Sequence, residues 1–259
     1  ASGALTGALA VAGPSSSGWG LDDSLRATPD GDGFRLAGER CFVLDGGSAD
    51  EIAVVARVEH GDGVALFIVP RARVETALVK SLDPSRPLAT LRFADLRVGR
   101  DRVLGRPGES AAPLARALEE AVVGLSLDIV GTCQALLERV LEHVRQRRQF
   151  DQPIGAFQAV QHKCADMYLA IEKARAMATF AMMAIAEDDP RRGLAASMAK
   201  AAAGDCQALV CKEGIQTHGG MGFTWEVDVQ LYVKRAKSGG HLLGTAGEHR
   251  ARIADLLRV

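Results

Sequence analysis

From Pro113 onward, apolar residues recur every three or four positions, which is the spacing of amphipathic helices. In the first such segment the repeating positions are Leu118, Val122, Leu125, Ile129, Leu136, Val140 and Val144. This spacing predicts helices over about residues 112–149, 156–186, 191–217 and 225–238, with a short one near 248–257. Alanine, leucine and glutamate dominate this half of the chain, so it predicts an antiparallel four-helix bundle.

Before Pro107 the pattern changes to short apolar runs separated by turn residues. The runs that predict strands lie at 34–36, 52–58, 64–69, 74–79 and 88–93. The turns between them, at 30–33, 45–47 and 60–63, are rich in glycine and aspartate. We therefore expect a small antiparallel β-barrel or sandwich over residues 1–106 and a helical domain over residues 107–259, an α+β multidomain fold.

Composition excludes several classes of function. The 259 residues are 47% hydrophobic and 24% charged, enough to bury one or two cores and without a bias toward disorder. The formal net charge of -1 lacks the excess of positive charge that is typical of nucleic-acid-binding proteins. Uninterrupted apolar runs stay below the roughly 20 residues of a membrane span, and the first residues lack the features of a signal peptide. We expect neither a membrane nor a nucleic-acid partner.

The cysteines point to a reducing compartment. They are Cys41, Cys133, Cys164, Cys206 and Cys211, and none has the CxxC spacing. Four of them fall in alanine-rich helical segments, which favours reduced, buried thiols over disulfides or a metal site. A cytoplasmic protein without a bound metal is the expectation.

Residues 145–162 form a polar corner between the first two predicted helices. Residues 151–155 are too few to cross a domain, so these helices should pack antiparallel. Arg147 and Arg148 at this corner have two interpretations. The dipole of a helix favours cations in its last turn, and arginine is also the usual bidentate partner of a phosphate. From spacing alone the helix-capping interpretation is the stronger.

Two sequence blocks resemble the acyl-CoA dehydrogenase family. The first, residues 147–162, reads RRQFDQPIGAFQAVQH and is similar to the corner of that family's C-terminal domain. The second, residues 214–226, reads GIQTHGGMGFTWE and resembles the family's glycine-rich segment. The resemblance covers essentially the whole chain. It implies a flavoprotein that uses FAD to oxidise the α,β bond of an acyl-CoA thioester, with an electron-transfer flavoprotein or similar protein as acceptor.

The family has an N-terminal helical domain, a middle β-domain and a C-terminal helical domain. This chain resembles only the last two, so we expect the N-terminal domain to be absent from it. Truncation, disorder and a naturally short protein all explain this, and the abrupt start favours the first two. In the family, the N-terminal domain forms part of the wall of the acyl pocket. The chain alone should therefore be a poor catalyst.

The family places its catalytic glutamate at one of two positions, and neither holds a carboxylate here. One position matches Leu243, and leucine cannot accept a proton. The other matches Ala121 in the first long helix. Its neighbour Glu120 is the fallback base, but one residue along a helix is a rotation of about 100°, which points Glu120 away from the pocket. Glu119 and Glu120 are both interpreted as solvated charges.

Flavin-facing positions are changed as well. Residues 10–19 resemble the start of the family's middle domain, with Val11 and Ala12 in place of a polar pair that contacts the flavin. Leu44 stands where a threonine hydroxyl would hydrogen-bond the flavin ring. The flavin half of any site built by this chain should therefore be weakened.

The positions that resemble the family's ADP-binding set are retained. They are Arg147, Gln149, Phe150, Gln158, Gln216, Gly219, Gly220 and Thr245. Glycine lets a backbone approach a pyrophosphate closely, although helix termination after Thr217 also explains the glycine pair. The two family positions after Thr245 have become Ala246 and Gly247.

In the family, the helical domain of a neighbouring subunit holds the adenosine half of each FAD. The resemblance therefore implies the non-catalytic partner in a hetero-oligomeric acyl-CoA dehydrogenase, with an α2β2 assembly expected. Two alternatives stay open: an active dehydrogenase that uses Glu120, and a flavin-free scaffold of the same fold. Residues 222–226 and 231–236 resemble the actinobacterial branch, which implies steroid side-chain CoA thioesters as substrates.

Overall fold

The computed structural model describes residues 3–14, 23–59 and 63–259. The chain divides into two compact units, Ala1–Leu118 and Glu119–Val259, and the division falls inside the first long helix. The predicted division at residue 106 stays a prediction. Residues 15–19 of the flavin-facing stretch and residues 60–62 of the third predicted turn lie outside the described part.

The first unit contains a mixed β-sheet. Its strands are β1 (Gly7–Ala10), β2 (Leu25–Asp30), β3 (Gly33–Leu44), β4 (Glu51–Val58), β5 (Val64–Pro70), β6 (Glu75–Val79), β7 (Leu88–Gly99) and β8 (Val103–Leu104). Their order is β6-β7-β3-β2-β4-β5-β8, with β1 also paired to β4. The five predicted strands are confirmed as β3 to β7. β1, β2 and β8 are strands that the apolar pattern did not indicate.

The prediction of a purely antiparallel sheet is wrong. β1 and β2 both pair parallel to β4, with Leu9 opposite Ala53 and Arg26 opposite Arg57. The reason lies in the β2–β3 hairpin, because the other edge of β3 is occupied by β7. β4 pairs instead with the other edge of β2, and it runs in the same direction as β2. Closure into a barrel stays a prediction.

Alternating side chains build the core of this unit. In β4, Ile52, Val54 and Ala56 are fully buried, and β5 contributes Phe67 and Val69 to the same cluster. Successive side chains of a strand point to opposite faces, so an apolar residue at every second position buries one face of the sheet.

Helices follow the sheet in the described chain: α1 (Ala111–Gln146), α2 (Gln158–Ala186), α3 (Arg192–His218), α4 (Val229–His241) and α5 (Ala246–Leu257). They confirm the five helices that the apolar spacing predicts, with shifts of a few residues at their ends. The Arg175 guanidinium on α2 donates to Gln134 Oε1 on α1 at 3.1 Å. These residues lie at similar distances from the corner, so α1 and α2 run back along each other. The four-helix bundle as such stays a prediction.

α3 packs against α2, α4 and α5 and shares a buried core with α1. Its alanine-rich sequence allows this close packing, since Ala195, Ala199 and Ala203 are fully buried. A Cβ at Gly204 would lie 2.8 Å from the Cβ of Ala246. Glycine is therefore required where α5 begins to pack on α3.

Among the described residues, α1 is the one helix long and apolar enough to cross a membrane by length and composition. Its residues Ile129, Leu136 and Val140 are buried in a core shared with α2 and α3. The apolar face of α1 thus contacts protein.

All five cysteines carry free thiols, and Cys133, Cys206 and Cys211 are buried. Burial raises the pKa of the Cys211 thiol to about 11. The described residues contain no group of three or more His, Cys, Asp or Glu side chains arranged to hold a metal.

Candidate functional site

The corner between α1 and α2 is a small β-hairpin. Strand β9 (Arg148–Gln149) pairs antiparallel with β10 (Gln152–Pro153). Phe150 and Asp151 between them both have positive φ, 49° and 63°, as in a type I′ turn. A bulky residue seldom adopts this φ, and the Phe150 side chain is 86% exposed. The unusual φ of Phe150 strains the backbone and exposes the aromatic ring to solvent. Strained residues of this kind are often found at functional sites.

Arg147 lies at the base of this hairpin, directly after α1. Its backbone N–H donates to the carbonyl of His143 at 2.9 Å, and its own carbonyl accepts from Ile154 at 2.8 Å. Arg148 donates from its guanidinium to the carbonyl of Asp151 at 2.6 Å, so it stabilises the hairpin itself. Of the two exposed arginines, Arg147 is the better candidate for binding an anion.

The glycine-rich segment lies where α3 ends. Gly219 has φ 62°, which terminates the helix. A Cβ on Gly219 or Gly220 would meet no atom within 4 Å. The packing of the protein therefore does not require glycine at position 220, whereas close approach of a ligand to the backbone would. Gln216 is exposed in the last turn of α3.

A ring stack joins the ends of α1 and α3. The imidazoles of His143 and His218 lie 4.4 Å apart, centroid to centroid, with 25° between their planes. Gln158 begins α2, next to Phe157, whose ring meets that of Phe150 edge-on at 6.1 Å. Seven of the eight predicted ADP-binding residues thus share one region, here called the adenine-side cluster: Arg147, Gln149, Phe150, Gln158, Gln216, Gly219 and Gly220.

Thr245 lies apart from this cluster. It caps the N-terminus of α5, where its hydroxyl accepts from the Glu248 backbone and donates to the Glu248 carboxylate at 2.8 Å. Its neighbour Ala246 packs on Gly204 of α3. Gly204 precedes Gln216 by twelve residues, about 18 Å along the helix. One pyrophosphate group cannot contact both regions.

Leu243 occupies a rigid turn between α4 and α5. Its φ is 55°, and its carbonyl accepts from His249 Nε2 at 2.8 Å. The fully buried Lys200 donates from Nζ to the carbonyls of Gly240 and Gly244, at 3.2 Å and 2.5 Å. Burial lowers the pKa of His249 to about 4, so this ring is neutral at pH 7. Two buried basic side chains thus hold the backbone at a position whose own side chain has no carboxylate.

The interpretation of Glu119 as a solvated charge is wrong. Its side chain is buried and accepts from Arg192 at 3.1 Å and from Arg252 at 3.3 Å. The sequence contains no local signal for this arrangement, because the two arginines lie on α3 and α5. Glu120 and Ala121 are exposed on α1.

In the first unit, the predicted flavin-facing residues present no polar side chain. Val11 and Ala12 are buried, and the Ala12 carbonyl accepts from the Cys41 N–H at 2.8 Å. Leu44 ends β3 with 42% of its surface exposed. Within residues 10–14, the described part of the stretch, every side chain is apolar.

Known proteins of similar sequence and structure agree on one family. Residues 114–257 match the family model described as acyl-CoA dehydrogenase, C-terminal domain. The chain is 30% identical to the short-chain specific acyl-CoA dehydrogenase of Bos taurus mitochondria, covering 99% of this chain and 64% of the relative. It also matches the electron transferring flavoprotein structure from Acidaminococcus fermentans, with a TM-score of 0.91, 28% identity and coverage of 99% and 70% of the two chains.

A further similar structure is the ChsE4-ChsE5 complex from Mycobacterium tuberculosis, with a TM-score of 0.88, 26% identity and coverage of 98% of this chain and 66% of that one. The chain spans 53% and 64% of the length of the first two curated relatives. The family model covers more than half of the chain and includes the corner hairpin and the glycine-rich turn. This chain belongs to the acyl-CoA dehydrogenase family.

Proposed function

We propose that this chain is a subunit of an FAD-dependent acyl-CoA dehydrogenase that completes the ADP half of a neighbouring subunit's cofactor site and provides no catalytic base. The observation that supports the proposal is the adenine-side cluster, which contains an arginine, an exposed aromatic ring, three amides and two unhindered glycines. This set of donors fits an adenosine diphosphate group.

Each member has a chemical task in this proposal. Arg147 would hold a phosphate through its bidentate guanidinium, and the backbone at Gly219 and Gly220 would hold the pyrophosphate. Phe150 offers a ring face to the adenine. Bound FAD would supply the hydride acceptor for oxidation of the acyl thioester.

The residues at the base positions support a non-catalytic role. Removal of an α-proton needs a carboxylate in a dry pocket that raises its pKa. Leu243 has no ionisable group, and Glu119 is already engaged by two guanidinium groups. Glu120, the fallback base, is exposed on α1 and so does not lie in a dry pocket.

For partners, we propose a homologous dehydrogenase subunit in an α2β2 assembly and an electron-transfer flavoprotein as acceptor. Similarity to the two-protein ChsE4-ChsE5 complex and to the electron transferring flavoprotein structure supports these assignments. For the acyl group we propose a steroid side-chain CoA thioester. The basis is that the sequence of residues 222–226 and 231–236 resembles the actinobacterial branch of the family.

The chain purified alone should retain little FAD and should show no flavin reduction by any acyl-CoA. The reason is that Leu243 and Leu44 remove the base and a flavin contact. Visible absorption at the flavin bands, measured on the chain alone and after co-purification with its partner, tests the first point. Stopped-flow mixing with acyl-CoA tests the second, and saturable flavin reduction in the isolated homomer would contradict the proposal.

Leu243→Glu should produce no gain of activity, because the apolar residues at positions 11, 12 and 44 still leave the flavin without polar contacts. It should also destabilise the chain by up to about 1 kcal/mol, since position 243 is half-buried and the new carboxyl is partly removed from water. Leu256→Glu, at an exposed position of α5, is the control for stability. Counting flavins reduced per tetramer in the heteromer tests the idea, and a doubled count with Leu243→Glu would show that this chain's flavin half is intact.

A further inference from the structure

The stacked pair His143 and His218 belongs to no part of the proposed site, yet it connects the two segments that build it. Arg147 follows His143 by one helical turn and donates its backbone N–H to the His143 carbonyl. Gly219 follows His218 directly. The stack therefore joins the helix end that leads into the Arg147 hairpin to the helix end that leads into the glycine-rich turn.

The position of the Nδ1 proton of His218 is defined by its hydrogen-bond partner. Its Nδ1 lies 2.9 Å from the Gly214 carbonyl, which can only accept a hydrogen bond. Nδ1 therefore carries a proton and donates to this carbonyl. His218 is buried and His143 is half-buried, so the stack is partly shielded from water.

A positive charge on His143 is unfavourable in the free protein. Burial lowers the pKa of its imidazole, and the neighbouring His218 and Arg147 lower it further. On the adjoining helices, Glu213 of α3 pairs with both Lys163 of α2 and Lys212 of α3, so this group carries a net positive charge. On α1 itself, Glu142 and Arg139 form an ion pair. A dianionic ligand beside Arg147 would offset the repulsion that disfavours the charged imidazole.

We propose that His143 is a positioning residue of the adenine-side cluster that holds the Arg147 hairpin against the glycine-rich turn through its stack on His218 and takes up a proton when a pyrophosphate group binds. This inference rests on the proposed ADP site. By linkage, the cluster should bind its anion more tightly as the pH falls through the range in which His143 titrates.

The probe for this test is ADP-ribose, whose two phosphates are diesters and do not titrate near neutral pH. Calorimetric titrations at about pH 6 and pH 8, in buffers with different heats of ionisation, report affinity and proton uptake together. The wild-type chain should bind more tightly at the lower pH, by up to about tenfold, since a rise of one pKa unit corresponds to a factor of ten. It should take up a fraction of a proton on binding.

Variants separate the stack from the titration. His143→Phe keeps an aromatic ring for stacking, so it should bind as wild type does at pH 8 but lose the pH dependence and the proton uptake. His143→Ala should bind more weakly at both pH values. His162→Gln changes an exposed histidine of α2 and should keep the wild-type pH profile.

A second measurement needs no ligand. Because the folded-state pKa of His143 is lowered, the unfolded chain binds its proton more readily. Stability therefore falls as the pH drops below about 6.5, the ordinary histidine value. This loss should be smaller in His143→Phe, and the similar contribution of His249 cancels in the difference.

Binding of ADP-ribose without proton uptake, or with equal uptake in His143→Phe, would overturn this inference and leave the ADP site standing. Failure of the wild-type chain to bind ADP-ribose at any pH would overturn the ADP site and the inference with it.

Discussion

Glu119→Ala should destabilise the helical unit by about 3 to 5 kcal/mol, the usual cost of removing one partner from a buried ion pair. The carboxylate lies between the guanidinium groups of Arg192 and Arg252, on α3 and α5. Without it, two cations remain in a partly buried environment, and burial already lowers the pKa of Arg252. Chemical denaturation of the wild-type and variant chains measures the difference in free energy of unfolding.

Glu120→Ala is the matched control, since it removes the same group from the neighbouring, exposed position of α1. It should change stability by no more than about 0.5 kcal/mol. If Glu119→Ala prevents folding, Glu119→Gln keeps the shape of the side chain and should give a smaller loss. Equal effects of the changes at positions 119 and 120 would show that the buried ion pair contributes nothing.

Arg147→Ala should weaken retention of FAD in the heteromer by about 2 to 4 kcal/mol, as expected for one member of a desolvated charge pair. Lysine should restore only part of the affinity, because the bidentate fork of the guanidinium is lost. The flavin-to-protein ratio after gel filtration, and the affinity for ADP-ribose, measure the effect.

Arg145→Ala is the control, because Arg145 is an exposed cation two residues earlier on α1 and outside the adenine-side cluster. It should leave flavin content unchanged. If Arg147 acts only through the helix dipole, Arg147→Ala should cost about 0.3 to 1 kcal/mol of stability and leave flavin content as it is in wild type. That result would remove the central contact of the proposed site.

Most of the secondary structure follows from short-range patterns. The helical spacing from Leu118 to Val144 predicts α1, and alternating apolar runs predict β4 and β5. Such patterns are local, because they reflect which face of an element is buried. They do not specify strand pairing, so the parallel contacts of β1 and β2 with β4 were missed. The Phe150–Asp151 turn was missed as well, since it lacks the glycine typical of type I′ turns.

By itself, the sequence determined the family, the positions of the main helices and strands, and the residues that match an ADP-binding set. Only the tertiary structure decided which of these residues lie together. It separated Thr245 from the other seven, buried Glu119 between two arginines, and stacked His143 on His218. The physical reason is that the Glu119 ion pairs and the His143–His218 stack join helices far apart in the sequence. Side-chain periodicity along one helix carries no information about which helix packs beside it.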